Sequence, residues 1–470
     1  HTEVVASIKS RDEILAWLFG VLGFLQLFEH SRTRSYRPLV LATVLFLLAM
    51  FCKEGSAAFV LVAPLMLYFF TRDDIGTMAR AAVPPGAALV AYLAVRTAVM
   101  KAVLFNQPLA SYNNALVAAN TFADRLATRF AILGKYVWLL VCPRDLTWDY
   151  SYRHVSIVSW DDWRPLLALV FYLAILMLAV TGLRRRSEVA FGILFYLITL
   201  APASNFFFLI GATMGERFLY VPSLGFCLAT GVLLVRWFAA RRSGTAGARV
   251  RLYGAVGVLL LLYGGRTLAR NRDWKDNLTL FTAGVGVSSN SARAHGALGN
   301  QLALRGQAEL DPARRAADER ASFEQYTTMV ALNSEDPEGW SSLGTMQMAV
   351  GDSGAAIRSF HEALSREPRL AKALTNLGVI YFRRAMLDSA AYFFEKSVAA
   401  DSLSVEALGD LGAVHLVRGS ARAALQYFDR ALRLEPFKPN VLANRRKAYL
   451  LLGDTMSANA SVGPASLNPQ

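Results

Sequence analysis

The chain is 470 residues long, 54% hydrophobic and only 18% charged, with a positive mean hydropathy of +0.34. A soluble domain carries about a quarter of its residues charged and rarely has this composition, which argues against a purely soluble protein. The net charge of +14 would suit nucleic acid if it were spread evenly, but residues 1–270 hold 27 Lys/Arg against 14 Asp/Glu while residues 271–470 hold 22 against 21. The basic excess therefore sits in the apolar half, where arginine-rich loops between spans act as cytoplasmic retention signals. A nucleic-acid partner is not expected. Cys52, Cys142 and Cys227 lie far apart and the six histidines are scattered, which gives neither a disulfide framework nor zinc spacing. No metal and no cofactor are expected. The first residue is His1 rather than Met, so the chain is expected to continue upstream.

Apolar runs occur at about 14–28, 37–52, 56–70, 81–99, 126–141, 166–182, 189–202, 221–239 and 252–268. Several fall short of the roughly 20 residues of a spanning helix, although flanking arginines and tyrosines can extend them by snorkelling. Arg32, Arg34 and Arg37 follow the first run, Arg72 and Arg80 the third, and Arg184, Arg185 and Arg186 the sixth. Arg236, Arg241, Arg242, Arg249 and Arg251 precede the last. The positive-inside rule places these turns in the cytoplasm. Parity then puts 201–221, and everything after residue 268, outside. The same parity conflicts with a crossing by 126–141, which carries Lys135 in its middle and Arg125 and Arg129 at its start. That run is expected to lie in the outer interface as an amphipathic or re-entrant helix. The result is eight spans and one long outer loop over residues 100–165.

The outer loop contains Trp148, Asp149 and Tyr150, then Trp160-Asp161-Asp162-Trp163. These read either as an aromatic belt at headgroup level or as a carbohydrate or lipid-phosphate contact surface, and spacing leaves both open. Lys53-Glu54-Gly55 interrupts the apolar stretch 37–70, as a turn in outer water or as a charged pair facing an outer cavity. The stretch from Ala201 to Phe226 holds Asn205, Glu216, Arg217 and Tyr220 between two apolar runs. Ionisable residues in that setting are costly and mark a site or a structural ion pair.

Beyond Trp274 a 34-residue period appears. Trp340, Leu343, Gly344, Ala356, Phe360, Ala363 and Pro368 recur as Leu374, Leu377, Gly378, Ala390, Phe394, Ser397 and Ser402, then as Leu408, Leu411, Gly412, Ala424, Phe428, Ala431 and Pro436. This is the tetratricopeptide pattern, in which small residues let two antiparallel helices approach and aromatics fill the gap. A diverged repeat precedes it at His295, Leu298 and Gly299, reaching Phe323 and Tyr326 after an insertion of about eleven residues. A partial repeat at 440–456 has Arg445 and Arg446 where Leu and Gly would sit, as a polar capping helix requires. The expected fold is all-α: a polytopic helical membrane domain over 1–270, a tetratricopeptide-repeat α-solenoid over 271–456, and a disordered tail over 457–470.

Pro202-Ala203-Ser204-Asn205, Glu216 to Ser223 and Gly225-Phe226 resemble the signature of the transmembrane and tetratricopeptide-repeat-containing protein O-mannosyltransferases. His1-Thr2-Glu3, Lys53-Glu54 and the Trp274 segment are similar to that family in order and placement. The resemblance implies a GT-C-type membrane glycosyltransferase. It would pass a mannose-like sugar from a polyprenyl-phosphate donor to Ser or Thr hydroxyls of proteins at the outer face, with the repeat groove recruiting the acceptor. The bilayer would be a bacterial inner membrane with periplasmic repeats, or an endoplasmic-reticulum membrane with lumenal ones. The catalytic carboxylate is expected upstream of His1. The donor or substrate contacts expected within this chain are Glu216, Arg217, Asn205, Tyr220, Lys53, Glu54, Glu3 and Asp149. The competing expectation is a non-catalytic, membrane-anchored scaffold for envelope complexes.

Overall fold

A computed structural model describes residues 2–7, 10–100, 113–151, 154–240 and 246–460. The chain divides into two compact units, His1–Ala294 and His295–Gln470. His1, the loop residues 101–112, and Tyr152 lie outside the described residues, as do positions 461–470 of the expected tail.

The first unit is built from α1 (Thr2–Ala6), α2 (Arg11–Thr33), α3 (Arg37–Cys52), α4 (Phe59–Phe70), α5 (Ile75–Met100), α6 (Phe122–Val141), α7 (Trp163–Leu183), α8 (Glu188–Leu200), α9 (Pro222–Ala240), α10 (Ala246–Asp273) and α11 (Asn277–Val287). Among the described residues four helices are long and apolar enough to cross a membrane: Arg11–Thr33, Ile75–Val99, Trp163–Leu183 and Arg249–Asp273. α3, α4, α8 and α9 are shorter apolar helices. α6 is long enough, but four charged side chains, Asp124, Arg125, Arg129 and Lys135, keep its hydropathy down.

Small residues let these helices touch. A Cβ on Gly20 of α2 would lie 2.4 Å from the Phe59 ring, and one on Gly23 would lie 2.9 Å from Phe46. Phe24, Phe46 and Phe59 close the gap, with ring centroids 5.3 Å and 5.2 Å from Phe24. α8 and α9 approach backbone to backbone at Gly192 and Gly225, where a Cβ on Gly225 would sit 2.4 Å from the Gly192 carbonyl oxygen. Where both sides of an interface are apolar, close packing of this kind replaces the hydrophobic drive.

The bundle has two chemically distinct ends. At one, Arg34 Nη2 pairs with Asp73 at 2.7 Å and Arg186 Nη1 donates to the Thr71 carbonyl at 2.5 Å. At the other, Lys53 Nζ pairs with Asp12 at 2.9 Å and Glu13 at 3.2 Å. The 23 residues of α2 separate the two ends by about 35 Å.

The second unit continues from α12 (Ala292–Ala308), within which the division falls, through α13 (Pro312–Leu332), α14 (Pro337–Ala349), α15 (Ser353–Arg366), α16 (Ala371–Arg383), α17 (Leu387–Ala400), α18 (Val405–Val417), α19 (Ala421–Leu434), α20 (Pro439–Leu451) and α21 (Thr455–Ala460). It is a tetratricopeptide solenoid. Phe360, Phe394 and Phe428 are fully buried. Each presses on the glycine of its own repeat, so that a Cβ on Gly344, Gly378 or Gly412 would meet the ring at 2.8, 2.5 or 2.6 Å. The first repeat uses Gly299 against Tyr326 in the same way and absorbs its insertion as extra helix in α12 and α13. The turn between paired helices takes a left-handed residue every 34 positions: Gly351, Ala385, Gly419 and Gly453, with φ of 87°, 58°, 78° and 78°. Arg445 of α20 reaches back to Asp429 at 2.8 Å, an ion pair on the outer helix of the array. Residues 457–460 complete α21.

Candidate functional site

The connection from α8 to α9 folds over the bundle end that carries Lys53. Asn205 is its bracket. It is buried with φ of 56°, a conformation Asn tolerates better than other side chains. Its amide nitrogen donates to the Ala212 and Thr213 carbonyls at 3.0 and 2.9 Å, and its carbonyl oxygen accepts from Ile210 N at 2.9 Å. Asn114 Nδ2 donates to the same oxygen at 2.8 Å and to the Ile210 carbonyl at 2.8 Å. The polar atoms of Asn205 are thus consumed in holding residues 205–213 as a closed loop.

The far limb of this connection carries the charges. Arg217 Nη1 pairs with Glu3 Oε1 at 2.7 Å, while the Arg217 backbone N–H donates to Glu3 Oε2 at 3.0 Å. The guanidinium also lies over the Phe218 ring at 4.9 Å. Two residues separated by most of the unit are therefore clamped through both carboxylate oxygens. Glu216 is buried and accepts from Tyr150 Oη at 3.0 Å. Burial pushes its carboxyl up to about 7, against the pull of the Arg270 guanidinium. Arg270 is buried too and pairs with Asp273 at 3.0 Å, while its Nε and Nη2 find no hydrogen-bond partner among the described residues.

The segment around Tyr150 works as a three-way tie. Trp148 packs into the space left by Gly284 of α11, with Phe281 at 4.9 Å between ring centroids. Asp149 Oδ2 accepts from Ser151 Oγ at 2.7 Å and Ser291 Oγ at 2.5 Å. Tyr150 reaches Glu216. Thr147 accepts from Ser288 Oγ at 2.9 Å. Trp160 packs against Phe130 with the rings tilted and their centroids 5.9 Å apart, and Trp163 stands exposed at the start of α7.

Of the eight expected site residues, the structure gathers Glu3, Glu216, Arg217 and Asn205 at one bundle end, with Lys53 joined to the head of α2 at that same end. Asp149 is tied to the turn before α12, and Tyr220 is half-buried at the start of α9. Glu54 is exposed, and its side chain takes part in no hydrogen bond or ion pair among the described residues. Sequence reasoning missed Tyr150 as the partner of Glu216, and it missed Asn114 and Arg270. Only their polarity inside apolar or loop segments could have singled them out.

A second polar group lies between α6 and α7, which touch where Tyr172 Oη donates to the Leu133 carbonyl at 3.2 Å. Lys135 Nζ lies 3.2 Å from His154 Nε2 and 5.0 Å from the Tyr150 ring centroid. Burial and the adjacent ammonium hold the His154 imidazole down at about 4, so it is neutral at pH 7.

Fold and site together define a polytopic helical membrane domain followed by a tetratricopeptide solenoid, with an ion-paired cluster at one end of the bundle. The chain is 24% identical over 398 residues to protein O-mannosyl-transferase tmtc2 of Xenopus laevis, covering 67% of this chain and 46% of that one. It is 25% identical over 332 residues to TMTC3 of Mus musculus, covering 64% and 35%, and 26% identical over 343 residues to TMTC4 of Homo sapiens, covering 65% and 45%. Its curated homologues are thus protein O-mannosyl-transferases, and the chain spans less than half the length of these three. No family model matches it. Similar solved structures include PilF of Pseudomonas aeruginosa, 16% identical with a TM-score of 0.31 over 35% of this chain and 72% of that one. MamA of Desulfovibrio magneticus RS-1 is 17% identical with a TM-score of 0.30, over 36% and 90%.

Proposed function

We propose that this chain is part of a GT-C-type membrane glycosyltransferase that moves a mannose-like sugar from a polyprenyl-phosphate donor to Ser or Thr hydroxyls of a protein. The observation that carries the reading is the segregation of charge in the first unit. Glu3–Arg217, Lys53–Asp12 and Glu216–Tyr150 occupy the bundle end opposite the arginine-rich turns. Under the positive-inside rule that end faces the periplasm or lumen, the side where a lipid-linked sugar and a protein acceptor would meet. The names of the homologues supply the sugar and the type of acceptor.

Within this cluster Arg217 is the proposed contact for the donor phosphate, because its guanidinium is partly open while Glu3 fixes its direction. Glu216 and Asn205 shape the loop rather than meet substrate, since both are buried with their polar atoms engaged. Lys53, Glu54 and Tyr220 line the same proposed face, and Asp149 holds its far wall. The general base that would raise the nucleophilicity of the acceptor hydroxyl is assigned to no residue of this chain. The solenoid is the proposed acceptor-recruiting element, since arrays of this kind bind extended partners on their concave face.

The test is sugar transfer to a Ser/Thr peptide by the full-length protein, with a polyprenyl-phosphate mannose donor. Arg217→Ala is expected to lower transfer at least tenfold. Undiminished transfer would remove Arg217 from the site, and absence of transfer by the unaltered protein with several donors would favour a scaffold.

A further inference from the structure

Between α6 and α7 lies a cavity of about 590 Å3, the size of a site that holds a drug-sized ligand. Its walls are apolar, with Ile132, Val137, Leu167 and Phe171 among them, and its rim carries Trp138 and Trp163, both exposed. Exposed tryptophans of that kind sit at the level of lipid headgroups. Lys135 also lines it, one turn before Trp138 on the same face of α6.

Lys135 is the unusual member. Its neighbour His154 can only accept from it, and among the described residues no carboxylate lies within 4.0 Å of its ammonium. Asp145 and Glu216 act on it only from a greater distance. The other cation of the cavity, Arg164, is already used by Asp162, with Nε at 2.9 Å and Nη2 at 2.5 Å from Oδ2. An ammonium held against apolar walls without a counter-ion is costly unless something anionic completes it. The walls, moreover, call for a hydrocarbon chain.

We propose that this cavity binds a membrane lipid through a single phosphodiester, with Lys135 as its anion contact, the apolar walls holding the first part of the chain, and the sugar-donor lipid as the occupant. One unpaired cation suits one negative charge, because a second would be left buried and unpaired. The assignment rests on the donor reading for the identity of the lipid. It adds Lys135, on the α6–α7 face, to Arg217 as a second contact for that lipid.

The test uses the full chain in detergent and three probes: citronellyl mannosyl phosphate as a short prenyl phosphodiester, citronellol as its uncharged core, and phosphatidylglycerol. Binding is read by native mass spectrometry and by the ligand-induced shift in Tm. Lys135→Gln and Lys135→Met are expected to weaken the phosphodiester tenfold or more and to abolish its Tm shift, with the residual binding of citronellol unchanged. Lys135→Arg recovers most of the affinity. Removing an uncompensated cation relieves burial rather than adding to it, so loss of binding with an unchanged or raised ligand-free Tm is the supporting result. Equal affinity in the unaltered chain and both neutral variants overturns the proposal. Equal competition by phosphatidylglycerol overturns the donor as occupant. Full-length protein that binds the phosphodiester through Lys135 but transfers no sugar refutes the enzymatic reading alone, whereas transfer that survives with unaltered binding in Lys135→Gln refutes this site alone.

Discussion

Gly225→Ala tests whether the α8–α9 crossing sets the geometry of the loop between them. The new Cβ would lie 2.4 Å from the Gly192 carbonyl oxygen and 2.7 Å from Tyr196 N. Both are backbone atoms, so no rotamer change relieves the overlap. The helices must instead part by about 1 Å, a shift of the scale that overpacked interiors make at a cost of about 1–3 kcal/mol. That movement is passed directly to residues 201–221, which begin at one helix and end at the other. It reaches the Asn205 bracket and the Glu216–Tyr150 bond, the latter only 3.0 Å long. Gly192→Ala faces the same crossing from the other side, at 2.6 Å from the Gly225 carbonyl oxygen. Gly231→Ala, also on α9, has nothing within 4 Å and serves as the control. In detergent, Gly225→Ala and Gly192→Ala are expected to lower the unfolding midpoint and to lower sugar transfer further than the loss of folded protein accounts for, while Gly231→Ala lowers neither. A full-stability Gly225→Ala protein would refute the argument that backbone approach, rather than side-chain packing, fixes this crossing.

Two other outcomes follow from the same geometry. The Glu216 carboxyl is raised from 4.5 to about 7, so the fold favours its protonated form. Its stabilising contribution is therefore fully present below pH 4.5 and is lost as pH rises to about 7, a change on the order of 3 kcal/mol. Glu216→Gln should flatten the stability profile across that window, and a denaturation series that keeps its slope would refute the assignment. In the solenoid, Ala385 occupies with φ of 58° the turn position that Gly351, Gly419 and Gly453 fill elsewhere. Ala385→Gly should gain about 0.5–1 kcal/mol by relieving the left-handed alanine, read as slower proteolysis of the repeat unit. An unchanged or lower stability would mean that the turn carries no strain.

The repeats were legible because their signal is local and periodic. A glycine and an aromatic 16 residues apart, repeated every 34, can be satisfied by one packing arrangement, and Phe360, Phe394 and Phe428 adopt it against Gly344, Gly378 and Gly412. The apolar helices were legible for the same reason, through the length and composition of single segments. Charge order along the chain carried the choice of loop 201–221, since an arginine and a glutamate between two apolar runs stand out in sequence.

Partnership was not legible. Glu3 and Arg217 stand 214 residues apart, Asn114 and Asn205 91 apart, and Tyr150 and Glu216 66 apart. No periodicity links such pairs, and only the closing of the bundle brings them within hydrogen-bond reach. The same limit hid the α6–α7 cavity, because Lys135 reads in sequence as an anomaly in an apolar run, and the absence of a carboxylate within ion-pair reach among the described residues becomes visible only once the surrounding helices are placed. Composition and period thus determined that the chain is helical, membrane-bound and repeat-bearing, since those properties are sums over neighbours in sequence. Which charges are spent on one another was decided by tertiary structure alone, because electrostatic pairing depends on distance in space.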